Sequence, residues 1–301
     1  MTTTQVLILP LLCRMTYAAA GQPPEEPANT IRLGVNLVVI NVNVVNKDGE
    51  TVSGLGKQAF QVFEDGLPRA ITIFRGEDAP VTVGVVVDNS ASMGPKRSEV
   101  IAAALAFARS SNPQDQMFVV HFNDRAKLGL PPEKPFTDNI SELEKALSHF
   151  VAAGTTALYD AMGMALSHIG RAVIDRKILV MVSDGGDNSS RSELSDILQW
   201  AQESGVVFYC IGLFDDRDTD RNPRLLSQLA LLTGGKAFFP ADVKDTTRIC
   251  VEVAHEIRSQ YTIGFAGSED GKYHRISVIA QEPRFGELHV STRPGYWGAK
   301  P

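Results

Sequence analysis

The sequence is poor in cysteine. Its 301 residues include only three, Cys13, Cys210 and Cys250, and no two of them form a CxxC pair. Zinc and thiol redox sites need thiols at close spacing, so the sequence predicts neither, and a chain of this length does not need a disulfide framework to bury a core. Cys210 and Cys250 could form one bridge or remain as two buried thiols, and the sequence leaves both alternatives open.

The sequence also lacks an excess of basic residues and a long apolar run. Lys and Arg number 29 against 35 Asp and Glu, which gives a net charge of −6, and the basic residues are scattered. Because this charge repels nucleic-acid phosphates, we expect no nucleic-acid partner. No stretch reaches the roughly 18 apolar residues of a transmembrane helix, so we expect no transmembrane segment in the mature chain.

Several enzyme motifs are missing as well. The six histidines are dispersed without an HExxH spacing, and the sequence has no GxxxxGKS/T loop, no GxGxxG after a strand and no GxSxG elbow. These absences argue against zinc proteases, P-loop nucleotide hydrolases, dinucleotide-dependent oxidoreductases and serine hydrolases. With hydrophobic residues at 44% and charged residues at 21%, the composition is that of a folded globular protein. From the missing motifs, we predict a protein that is not an enzyme.

Residues 1–20 have the pattern of a signal peptide. An apolar run at residues 6–13 precedes the small residues Ala18, Ala19 and Ala20. The pattern departs from the usual one because no Lys or Arg precedes the run and Arg14 follows it, and a start assigned too late in the reading frame would explain this departure. We expect a secreted or periplasmic protein with a linker at residues 21–31, and a disordered N-terminal tail is the alternative.

In the two flanks of the chain, apolar residues recur at every second position. In residues 32–79, Val38, Ile40, Val42 and Val44 alternate with other residues, and Asp-Gly pairs mark turns. Short strands with similar turns return in residues 259–297. Since a sheet of two or three strands is marginally stable alone, we expect the two flanks to pair into one small discontinuous β domain.

The central residues 80–258 have a different pattern of apolar residues. Nearly continuous apolar runs at residues 81–87, 117–122, 177–183, 206–214 and 236–240 indicate strands buried on both faces, and helical periodicity lies between them, as in residues 98–109 and 157–169. This alternation predicts an α/β domain with a doubly wound, mostly parallel sheet. Ligands of such sheets bind at the carboxyl ends of the strands.

Oxygen-bearing side chains follow the strands at that edge. Asp88, Ser90 and Ser92 come directly after the first central strand, the loop at residues 154–156 adds a hydroxyl, and Asp184 follows a later strand. Two carboxylates and three hydroxyls form an all-oxygen set that suits a hard cation such as Mg²⁺. Because two carboxylates only neutralise a divalent ion, the ion would remain able to take a carboxylate from a partner protein.

Three segments, DNSASMG, GTTALYDAM and ILVMVSDGGD, resemble in order and position the three motifs of the von Willebrand factor A-type domain, and the resemblance covers roughly residues 80–262. The flanks resemble those of a group of exported bacterial proteins related to these domains. The resemblance implies a metal-ion-dependent adhesion site made by Asp88, Ser90, Ser92, Thr156 and Asp184. It also implies bound Mg²⁺ or Mn²⁺ and a protein partner that offers an acidic residue.

Three alternatives stay open. The DNSAS segment could simply cap a helix, in which case the domain would be an interaction scaffold that binds without metal. An aspartate after the first strand also occurs in Mg²⁺-dependent phosphoester hydrolases, although no lysine follows in an obvious catalytic place. The acidic loop at residues 215–220 is either a solvated loop or a rim that tunes partner choice or holds a second ion.

Overall fold

The computed structural model describes residues 36–76, 78–149, 151–215 and 221–299. The predicted signal peptide and linker therefore lie outside the described residues. So does most of the acidic loop, of which only Asp215 is described.

A six-stranded sheet forms the centre of the fold. Its strands are β5 (Thr82–Asp88), β6 (Gln116–Phe122), β7 (Ala126–Leu128), β8 (Lys177–Ser183), β9 (Val207–Gly212) and β10 (Ala237–Phe238). Their order is β10-β9-β8-β5-β6-β7, and every neighbouring pair is parallel except β6 with β7. The mostly parallel sheet predicted from the continuous apolar runs is confirmed. The short antiparallel strand β7 was not predicted.

Six helices alternate with these strands. They are α1 (Arg97–Ser110), α2 (Ile140–Ser148), α3 (Leu158–Ile169), α4 (Leu194–Ser204), α5 (Pro223–Thr233) and α6 (Thr246–Arg258). Helix α1 contacts α2 and α6, whereas α4 contacts α3 and α5. Two separate helix groups are what a doubly wound sheet covered on both faces requires. In the part of the chain that the structure describes, no helix is long and apolar enough to cross a bilayer.

The flanking segments form two antiparallel sheets. The strands before the centre are β1 (Leu37–Asn46), β2 (Phe60–Glu64), β3 (Leu67–Arg69) and β4 (Ile71–Arg75), and those after it are β11 (Tyr261–Ala266), β12 (Tyr273–Ala280), β13 (Leu288–Ser291) and β14 (Gly295–Trp297). One sheet has the order β13-β1-β11-β4 and the other β14-β12-β2-β3. Each sheet combines strands from both flanks, as the marginal stability of either flank alone led us to expect.

The buried apolar side chains form two clusters, one around the central sheet and one between the flanking sheets. Residues 36–299 nevertheless belong to one compact unit. The division into a domain at residues 80–258 inserted in a β domain therefore stays a prediction. Cys210 and Cys250 are free, buried thiols in the central cluster. Burial raises the pKa of both thiols, that of Cys250 to about 12.

A buried polar cluster joins the flanking strand β1 to the central domain. The Tyr209 hydroxyl of β9 donates to Glu256 Oε1 of α6 at 2.9 Å and accepts from Gln260 Nε2 at 2.8 Å. The amide of Asn43, on β1, donates to the same Glu256 oxygen at 2.9 Å. Burial raises the pKa of Glu256. Since buried polar groups are costly when unpaired, the Tyr209 hydroxyl holds together groups from both parts of the fold.

We expect Tyr209→Phe to lower the free energy of unfolding by about 1–3 kcal/mol, because the change leaves the Gln260 amide without its buried acceptor and removes one of the two buried donors to Glu256 Oε1. Urea denaturation measures this loss. Tyr273→Phe is the matched control, since the Tyr273 hydroxyl makes no hydrogen bond to a described residue. Equal stabilities of the two variants would contradict the structural role given to the cluster.

Candidate metal centre

The first part of the site is the loop that leaves β5. Asp88 is the last residue of this strand, and its Oδ1 accepts a hydrogen bond from the backbone N–H of Ser90 at 2.8 Å. An aspartate that bonds the backbone two residues ahead forms a local turn. The chain then enters a short 3-10 helix at Ala91–Lys96. The turn thereby places Ser90 and Ser92 beside the end of the strand.

The second part is the end of the neighbouring strand β8. Ser183, its last residue, donates through Oγ to Asp88 Oδ2 at 2.7 Å. The next residue, Asp184, accepts from Ser92 Oγ at 2.9 Å, and Ser92 Oγ lies 3.1 Å from Ser90 Oγ. Hydrogen bonds therefore bring together four of the five predicted site residues, Asp88, Ser90, Ser92 and Asp184.

A glycine allows the chain to turn immediately after Asp184. Gly185 has φ of +78°, and a Cβ atom at this position would lie 2.7 Å from the carbonyl oxygen of Asn222. Any other residue would be strained there. The Asn222 N–H in turn donates to the Asp184 carbonyl at 3.0 Å, and the Asp184 Oδ1 accepts from the Gly186 N–H at 3.0 Å. The Asp184 carboxylate is thus held at the edge of the sheet.

Backbone hydrogen bonds of its loop, and not its own side chain, hold Thr156 beside the site. The backbone of residues 153–154 bonds that of residues 89–91, with Ala153 N donating to Asn89 O at 2.9 Å and Ala91 N donating to Gly154 O at 3.2 Å. Thr156 is 7% exposed, and its hydroxyl makes no hydrogen bond to a described residue. The structure places Thr156 in the adjoining loop, with a hydroxyl that is not hydrogen-bonded to any described protein group.

A loop distant in sequence fixes Thr156 and the start of α3. The side chain of Asn188 accepts from Thr156 N at 2.9 Å, that of Asp187 from Tyr159 N at 3.2 Å and that of Ser190 from Asp160 N at 3.1 Å. These side chains replace the local cap that Ala157 cannot provide. Sequence reasoning missed these positioning residues and also Ser183, because none has a characteristic spacing from its partner.

The two carboxylates are buried without a neutralising charge from any described residue. Asp88 is 2% exposed and Asp184 6%, and neither forms an ion pair with a described basic residue. Burial, together with the nearby charge of Asp184, raises the pKa of Asp88 from 3.8 to about 6, although hydrogen bonds from Ser90 and Ser183 oppose the shift. A buried, uncompensated carboxylate favours either a proton or a cation.

The residues present fit a hard divalent ion. The donors are carboxylate and hydroxyl oxygens, which suit Mg²⁺ or Mn²⁺ better than softer metals. Within the described ranges, no three His, Cys, Asp or Glu side chains converge on one point. The candidate centre therefore offers two charged ligands and not the larger carboxylate set of a calcium cage.

Comparisons with known proteins agree with this architecture. Residues 83–186 match a family model described as von Willebrand factor type A domain. A solved von Willebrand factor type A structure from Catenulispora acidiphila is 13% identical, with a TM-score of 0.55 over 87% of this chain and 74% of that one. No curated protein matches the sequence.

A second solved structure is proximal thread matrix protein 1 from the mussel byssus, described as having a zinc-occupied MIDAS motif. It is 17% identical, with a TM-score of 0.52 over 63% of this chain and 48% of that one. At these identities both likenesses show the fold.

In metal-free buffer at neutral pH, we expect Asp88→Asn to raise the free energy of unfolding by up to about 3 kcal/mol. The Asp88 pKa is about 6 in the folded protein against an ordinary value of 3.8 for a solvated aspartate, so ionised Asp88 destabilises the fold above pH 6 and ceases to do so as the pH falls below 3.8. Denaturation with a chelator present measures the difference.

The control for this experiment is Asp138→Asn, since Asp138 lies exposed before α2. Its stability should equal that of the wild type. If Asp88→Asn were less stable than the wild type in chelator at neutral pH, the Asp88 charge would not destabilise the metal-free fold.

Proposed function

Because the chain contains a von Willebrand factor type A domain, we propose that it is a protein-binding module that captures a carboxylate of a partner protein through a divalent ion. Asp88, Ser90, Ser92, Thr156 and Asp184 would hold the ion, which we propose to be Mg²⁺ or Mn²⁺. We further propose that the protein acts outside the cytoplasm, in the secreted or periplasmic space, and that it is not an enzyme.

One observation carries this proposal, the pair of buried carboxylates that no described basic residue neutralises. Asp88 and Asp184 together supply two negative charges, and the three hydroxyls supply none. When bound, a divalent ion neutralised in this way is still a Lewis acid for one further anionic ligand. Ser183 and the Ser90 N–H hold the Asp88 carboxylate in place, and Asn188 positions the Thr156 loop.

The description of the mussel byssus protein as having a zinc-occupied motif supports a metal at this position of the fold. For the present chain, we favour Mg²⁺ over zinc because all the proposed donors are oxygens. The ion would also offset part of the protein's net charge of −6 at the point where an acidic partner must approach.

A metal-independent scaffold is the second candidate. Hydrogen bonds from Ser92 to Asp184 and from Ser183 to Asp88 already satisfy both carboxylates in part, which favours this alternative. A phosphoester hydrolase is less favoured. Both oxygens of Asp88 accept hydrogen bonds, and its side chain is too deeply buried to be a ready nucleophile.

Isothermal titration of the wild type with Mg²⁺ or Mn²⁺ should show one site, and Asp88→Asn should abolish it, since the variant removes one of the only two charged ligands. Asp138→Asn serves as the control and should bind the ion like the wild type. A wild type that binds no ion, or an Asp88→Asn variant that binds it unchanged, would favour the metal-independent scaffold.

We expect the affinity for the ion to depend on pH. Since the Asp88 pKa is about 6 in the metal-free protein, the ion must displace a proton below that pH. One pH unit below this pKa, the apparent affinity should be about tenfold lower than on the neutral plateau. Titrations over this range, corrected for buffer ionisation, measure the effect. An affinity that does not change with pH would mean that Asp88 is not a ligand.

A further inference from the structure

We propose that an aromatic patch formed by Phe214 and Phe239 selects partners that present a large apolar side chain close to the carboxylate that binds the ion. This inference rests on the proposed function and adds the chemistry of the partner to it.

The sheet register places the patch in line with the candidate metal centre. Phe238 is paired with Ile211, and Gly212 with Ser183, so Phe239, Gly212 and Ser183 lie in one row at the carboxyl edge. The row continues to Asp88, which accepts the Ser183 hydroxyl at 2.7 Å. Neighbouring strands are about 4.8 Å apart, so three steps separate Asp88 from Phe239 by about 14 Å.

The two rings are held against the end of β9. The ring centroids of Phe214 and Phe239 are 5.5 Å apart, with 26° between the ring planes. A Cβ atom on Gly212 would lie 2.7 Å from Phe239 Cδ1 and 2.8 Å from Phe214 Cζ, so both rings occupy the space where a side chain would stand. Gly212 therefore allows the patch to form on the side of the sheet toward which the adjacent Ser183 side chain points.

The patch is open to a partner. Phe239 is 43% exposed and Phe214 is half-buried, although both are large apolar side chains. A stacked, partly exposed aromatic pair that packs against the end of a strand is typical of the residues that contribute most of the binding energy in protein interfaces. Its continuity with the candidate metal centre indicates that one partner segment covers both.

The chemistry of the site explains why a second contact is needed. A single carboxylate contact discriminates little between partners, because every acidic partner offers one. An apolar contact beside the ion adds affinity and excludes acidic segments that lack it. At about 3.4 Å per residue, an extended partner segment spans the row when its apolar side chain lies about four positions from the carboxylate.

The test uses a displayed library of random peptides with a fixed central aspartate, selected on the immobilised full chain in Mg²⁺. We expect large apolar residues to be enriched a few positions from the aspartate. Selection on Phe239→Ser should lose this enrichment, and Phe239→Leu should retain it. A peptide selected on the wild type should bind Phe239→Ser at least about tenfold more weakly.

Ile279→Ser is the matched control, because Ile279 on β12 is 42% exposed but lies in a flanking sheet. It should select the same peptides as the wild type. The Mg²⁺ affinity of each variant, measured by calorimetry, separates the two proposals, since a wild type without Mg²⁺ binding would overturn the proposed function itself.

With Mg²⁺ binding intact, three outcomes would overturn the present inference. They are enrichment of polar rather than apolar neighbours, the same apolar enrichment on Phe239→Ser, and no enrichment in Mg²⁺.

Discussion

The central constraint on this structure is the burial of two carboxylates side by side at one edge of a parallel sheet. Asp88 and Asp184 end or follow adjacent strands, and no described basic residue neutralises them. The fold keeps them there through fixed donors, the Ser90 N–H and the hydroxyls of Ser92 and Ser183. Under the proposed function, a cation would complete this arrangement, because it would compensate a charge that no described basic residue compensates.

The parallel sheet makes this arrangement possible. Its strands are buried on both faces, and the oxygen-bearing side chains of the candidate centre lie at or after their carboxyl ends. There, β5 and β8 deliver Asp88 and Ser183, while β9 and β10 deliver the glycine and aromatic residues of the patch. The strands of the flanking sheets come before and after the central domain in the sequence. The hydrogen bonds of the Tyr209 cluster join β1, which lies in one of these sheets, to the central domain.

Much of this could be predicted from the sequence. Continuous apolar runs predicted the five parallel strands, and the DNSAS segment indicated where oxygen-bearing side chains lie together. The strand β7 was missed because its three residues carry no periodicity. The role of Asn188 and Asp187 was missed because they cap α3 from about 30 residues away, and no local spacing reveals such a cap. The patch depends on strand register, which the sequence does not display.

The most direct test of the central claim is an anomalous diffraction map of crystals soaked in Mn²⁺. The account predicts a manganese peak at the carboxyl edge, among the side chains of Asp88, Ser90, Ser92, Thr156 and Asp184. An edge without manganese, in crystals where the ion binds elsewhere or not at all, would contradict it.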